Sequence, residues 1–114
     1  MEIKAIDEDN FSDMVLKSAM PVVLDFEAEW CGSCRAMAPI VRELSHEYGD
    51  SVTFGKVDVD EAPVLSARFG VRNIPTYLLM KDGMLIERIV GNTPKSVLAK
   101  KISDLRGQSN INKS

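Results

Sequence analysis

The only two cysteines of the chain, Cys31 and Cys34, stand two residues apart in "DFEAEWCGSCRAM", directly after Trp30. Residues i and i+3 of a helix share a face with Cα atoms roughly 5 Å apart. A disulfide needs about 4.4–6.8 Å, so such a pair opens and closes with little backbone movement. At a helix start, free N–H groups and the positive end of the dipole favour thiolate over thiol. Cys31 is therefore the expected nucleophile and Cys34, deeper in the helix, the resolving thiol. Three plainer readings compete. A structural zinc site needs four ligands, yet no other cysteine exists and the single histidine, His46, lies twelve residues past Cys34. A structural disulfide across so short a loop adds little stability. Two small core residues would not account for the flanking tryptophan and glycine. A C-x-x-C beside alternating strands and helices points instead to redox work.

The elements that must position this pair follow from hydrophobic periodicity. "IKAI" predicts a first strand. Phe11, Met14 and Val15 have helical spacing within residues 9–18. "PVVLDF" is a near-continuous apolar run suited to a strand covered on both faces. Met37, Ala38, Val41, Leu44, Ser45 and Tyr48 mark a long amphipathic helix ending near Gly49, with Pro39 expected to kink it. "VTFGKVDV" predicts a strand, and "DEAPVLSARFG" a short helix with Pro63 in its first turn and Gly70 as a stop. "TYLLM" and "MLIERIV" are joined by "KDG", the signature of a tight hairpin. Thr93 is the expected N-cap of a last helix with Pro94 at its first position. The order β α β α β α β β α predicts an α/β fold: a mixed central sheet of about five strands flanked by four helices. Parallel pairs are expected from the strand–helix–strand units, and an antiparallel edge from the hairpin.

Length and composition bound the function. The 114 residues suit one domain, and 45% hydrophobic with 27% charged residues is ordinary for a globular protein. A net charge of −3 argues against nucleic acid as a partner. No apolar run is long enough for a membrane helix. The opening "MEIKAIDEDNFSDM" mixes charges without a signal-like apolar stretch, so the expected address is cytoplasmic, where thiols are kept reduced. With no heptad and no leftover apolar stripe, a monomer is expected. There is no G-x-G-x-x-G, so no nicotinamide or flavin cofactor is expected, and no metal.

These residues resemble the thioredoxin family. "VVLDFEAEWCGSC" is similar to its strand–Trp–Cys-Gly-x-Cys segment, "KVDVDEAPVLSARFGVRNIPTYLLMKDG" to its Ile-Pro-Thr region, and "VGNTPKSVL" to the glycine turn before its last helix. The resemblance spans residues 1–106 and implies a single thioredoxin-fold domain, leaving residues 107–114 as a polar, frayed tail. It implies reduction of disulfides in partner proteins and re-reduction by a separate reductase, NADPH- or ferredoxin-linked. It implies a catalytic set of Cys31, Cys34, Asp25 and Lys56, with Asp25 buried behind the cysteines and Lys56 beside it. From the residues alone, Asp25 equally suits a solvent-facing Val23/Asp25/Glu27 alternation, and Lys56 an exposed strand lysine. The resemblance further implies a substrate groove of Trp30, Gly32, Ser33, Ile74, a cis-Pro75 and Gly91. Two departures stand out: Ser33 replaces a common proline, and Glu27 a frequent aromatic residue. Met37 and Met80 are read as core, and His46 and Arg35 as surface residues. The rivals are an oxidant or isomerase that makes or shuffles disulfides, and a docking module in which the cysteines are secondary.

Overall fold

The computed structural model describes residues 3–107; the polar tail from residue 108 onward lies outside them. Five strands form one sheet: β1 (Lys4–Ala5), β2 (Val22–Glu27), β3 (Thr53–Asp58), β4 (Thr76–Lys81) and β5 (Met84–Val90), in the order β1-β3-β2-β4-β5. A π-helical segment, Ser12–Leu16, precedes β2; the three α-helices are α1 (Gly32–Tyr48), followed directly by a 3₁₀ turn (Gly49–Ser51), α2 (Pro63–Arg68) and α3 (Lys95–Gly107). This is the thioredoxin fold of a mixed sheet flanked by helices.

The alternation of β2 sorts the core into two layers. Val23 packs with Met37, Val41 and Leu44 of α1 and Leu98, Ile102 and Leu105 of α3. Val22, Leu24 and Phe26 face the other way, onto Phe11, Val15 and Leu65. Both faces are covered, which is why "VVLDF" reads as a continuous apolar run. β1 sits against β3 at Gly55, where a Cβ would lie 2.7 Å from Ile6 Cγ1, so only glycine fits there. The "KDG" hairpin has Asp82 and Gly83 at φ 52° and 76°, the left-handed pair of a type I′ turn.

Three expectations change. β2 and β3 are parallel, but β4 runs antiparallel to β2. The six residues of α2 span about 9 Å, whereas the six of β3 run about 20 Å. The chain therefore re-enters the sheet near the end where β3 leaves it. The first helical segment is a five-residue π turn rather than a run over 9–18, closed by Lys17 N–H donating to the Ser12 carbonyl at 3.0 Å. At the last helix, the Thr93 hydroxyl donates to the Gly91 carbonyl and α3 begins at Lys95, after Pro94. Pro39 lies within α1, which continues to Tyr48.

Candidate active site

β2 ends at Glu27 and the chain turns through Ala28–Trp30 into α1. Cys31 is the N-cap of that helix, with extended backbone (φ −87°, ψ 109°). Its Sγ accepts the Cys34 backbone N–H at 3.1 Å, the position a serine or aspartate cap would occupy. The Ser33 hydroxyl lies 3.4 Å from the same sulfur, and the Ile74 carbonyl 3.8 Å. Cys31 and Cys34 are joined as a disulfide with Cα atoms 5.2 Å apart, the separation that i,i+3 spacing predicts. Both are buried, packed with Ala28, Val59 and Ile74. The Cys34 N–H and the helix dipole converge on Cys31 Sγ, and both favour negative charge there once the disulfide opens.

Behind the pair lies Asp25. It is 7% exposed and shares the face of Val23, so the solvent-facing reading fails. Burial, the largest cause, and the neighbouring Glu27 push its carboxyl up to about 8, while Lys56 opposes them. Lys56 is the Cα partner of Asp25 across the parallel strands. Its ammonium is exposed, however, and makes its ion pair with Glu27, at 3.7 Å. A cleft of about 300 Å³ opens here, lined by Glu27, Ala28, Glu29, Cys34, Arg35, Ala38, Lys56 and Asp58. It reaches Cys34 from the solvent side.

The remaining candidates flank Cys31. Trp30 is 67% exposed, and its indole N–H donates to Asp60 at 2.8 Å, which fixes the ring over the loop after β3. The Ile74–Pro75 bond is cis. Gly91 has φ 88° and donates its N–H to the Pro75 carbonyl at 2.8 Å, tying the end of the hairpin to the cis-proline loop. Val90, beside it, is 52% exposed. Gly32 opens α1, where a Cβ would meet only the Arg35 guanidinium at 3.8 Å. Two residues were missed. Asp60 anchors Trp30, and Tyr77 is the Cα partner of Asp25 on β4. The strand run "TYLLM" carried the only sign of Tyr77, a polar atom inside an apolar segment. Met37 and Met80 are core. Among the described residues no group of three or more His, Cys, Asp or Glu is placed to hold a metal, and no helix is long and apolar enough to cross a membrane.

A capped dithiol pair, closed on itself at a helix start within this fold, defines a dithiol–disulfide oxidoreductase. Known proteins agree. The thioredoxin family model matches residues 2–104. Thioredoxin 1 of Synechococcus elongatus is 43% identical over 95 residues, covering 83% of this chain and 89% of that one. The thioredoxin of Mycolicibacterium smegmatis is 45% identical over 102 residues, covering 88% and 91%. An M-type chloroplastic thioredoxin of Chlamydomonas reinhardtii is 40% identical over 101 residues, covering 89% and 72%. The chain belongs to the thioredoxin family, and it works by dithiol–disulfide exchange through Cys31 and Cys34.

Proposed function

We propose that Cys31 is the attacking thiolate, Cys34 the resolving thiol and Asp25 the base that serves it, in a protein that reduces disulfides of partner proteins. The observation that carries the reading is the N-cap bond from Cys34 N–H to Cys31 Sγ, which favours charge on the earlier sulfur. The Cys31 thiolate attacks one sulfur of the partner disulfide, and the other sulfur leaves as a thiolate. The Cys34 thiol gives its proton to the Asp25 carboxylate, and the new thiolate attacks Cys31 Sγ. The bond from Cys31 to the partner breaks and the partner's second sulfur leaves as a thiolate. Both leaving thiolates take protons from water. Two electrons pass to the partner, and the chain ends as the disulfide seen here.

Trp30, Ile74, cis-Pro75 and Gly91 frame the docking groove, in which an extended substrate pairs with the Ile74 backbone as an added strand. Gly32 and Ser33 line its floor between the sulfurs. Lys56 influences the reaction through Asp25. The disulfide product needs a separate reductase, NADPH- or ferredoxin-linked, acting on a monomer in a reducing compartment, for which the cytoplasm is our proposal.

Trapping tests the order of attack. Cys34→Ser, incubated with a disulfide protein such as insulin, is expected to accumulate a mixed disulfide that dithiothreitol releases. Cys31→Ser is expected to accumulate none. Trapping by Cys31→Ser alone would reverse the two roles.

A further inference from the structure

Glu27 follows Asp25 by two residues on β2, so both point to the side of the sheet covered by α1. The helix covers Val23 and Asp25 and stops covering the strand at Glu27, which is half-buried at the cleft. Its Oε2 lies 3.7 Å from Lys56 Nζ. Lys56 stands opposite Asp25 in the parallel register, yet its ion pair is with the carboxylate two residues further along β2, at the mouth of the cleft that Cys34 also lines.

We propose that Glu27 is a positioning residue for the resolving step: it draws the Lys56 ammonium to the cleft mouth, holds a second negative charge beside the Asp25 carboxyl, and so sets the pH at which Cys34 is released to attack. This rests on the reading of Asp25 as the base for Cys34.

The charges around the site support it. Asp25 and Glu27 are two carboxyls on one face of one strand, served by a single ammonium. Like charge disfavours ionisation of the more buried partner, and a cation bound to the outer carboxyl is less available to the inner one. Both effects act in the same direction on Asp25. Asp58, also on β3, pushes Glu27 up in turn, after burial and against Lys56. From β4, Tyr77 faces the pair as a neutral phenol. From α1, Cys34 and Arg35 line the cleft, and the Arg35 guanidinium donates to the Glu29 carbonyl at 2.7 Å. Lys56 is thus the cation whose placement the two carboxyls divide.

The test follows the resolving step directly. Reduced full-length chain is mixed with 5,5′-dithiobis(2-nitrobenzoate) in a stopped-flow instrument, and release of the second thionitrobenzoate reports attack by Cys34 on the mixed disulfide. Its rate is expected to rise with pH, with a midpoint near 8 set by Asp25. Glu27→Gln is expected to move that midpoint down by about one pH unit, the scale of one nearby charge at a partly buried site. Glu27→Asp, which keeps the charge, is expected to restore most of it, and Lys56→Met to move it up. Asp25→Asn is expected to remove the inflection. If Asp25→Asn removes it but Glu27→Gln leaves the midpoint in place or raises it, the role of Glu27 is overturned and the base survives. An inflection that persists in Asp25→Asn overturns the base, and the role of Glu27 with it.

Discussion

Tyr77 lies directly opposite Asp25 across the antiparallel pair β2–β4, and each carries a buried polar atom, the Tyr77 hydroxyl and Asp25 Oδ1, without a hydrogen-bond partner among the described residues. Two orphaned polar groups on one covered face are costly unless each stays neutral. The phenol does: burial first, then the charges of Asp25 and Glu27, drive it well above the usual tyrosine range. Tyr77→Phe therefore deletes an oxygen that makes no hydrogen bond among the described residues. Its cost in urea unfolding at pH 7 is expected to fall below the ~1–3 kcal/mol that stranding a buried partner incurs. A larger loss would mean that the hydroxyl bonds a group near Asp25.

The same burial makes Asp25 a source of instability that depends on pH. Its folded value, about 8, lies above the 3.8 of an ordinary aspartate. Below pH 4 the carboxyl is protonated in both folded and unfolded chains and nothing is lost. Between pH 4 and 8 the unfolded chain releases its proton and the folded one does not, so stability falls as pH rises. Above 8 the full penalty applies, on the order of 5 kcal/mol. Asp25→Asn is therefore expected to be more stable than the parent by several kcal/mol at pH 9, with the two curves converging toward pH 4. Denaturant titrations across that range measure it. Parallel curves, offset equally at every pH, would show that the carboxyl is not held protonated.

Much of this site was legible because its logic is local. Two thiols at i and i+3 before a helical pattern already specify the Cα separation that the disulfide shows. The Asp-Gly hairpin and the glycine stop of α1 were equally plain. What was hidden depended on direction and coverage. No residue in "TYLLM" says that β4 runs against β2; that follows from how short α2 is relative to the strand it must retrace. The alternation of Val23, Asp25 and Glu27 placed all three on one face but not what covers it. α1 buries the first two and leaves the third half-buried at the cleft. Hence Asp25 was ambiguous, and Lys56 turned to Glu27 rather than to the residue opposite it.

Ser33 is the second residue of α1, and the residue before it is the first inside the Cys31 cap. Its N–H belongs to the first turn, where no intrahelical acceptor exists, and its hydroxyl lies 3.4 Å from Cys31 Sγ. When the disulfide opens, the hydroxyl is in place to donate to a thiolate on Cys31, and a hydrogen bond to a charged group is worth about 1.5–3 kcal/mol. Stabilising the reduced form raises the reduction potential. Proline at this position keeps the helix start, which tolerates a missing N–H, but it removes both donors. Ser33→Pro is therefore expected to lower the potential of the Cys31–Cys34 couple by a few tens of millivolts, since about 30 mV corresponds to 1.4 kcal/mol for two electrons. Ser33→Ala, which loses only the hydroxyl, should fall between. Equilibration against glutathione and dithiothreitol buffers reads all three. An unchanged or higher potential in Ser33→Pro would show that the serine donors do not stabilise the thiolate, and the drive toward charge on Cys31 would then rest on the Cys34 N–H and the helix dipole alone.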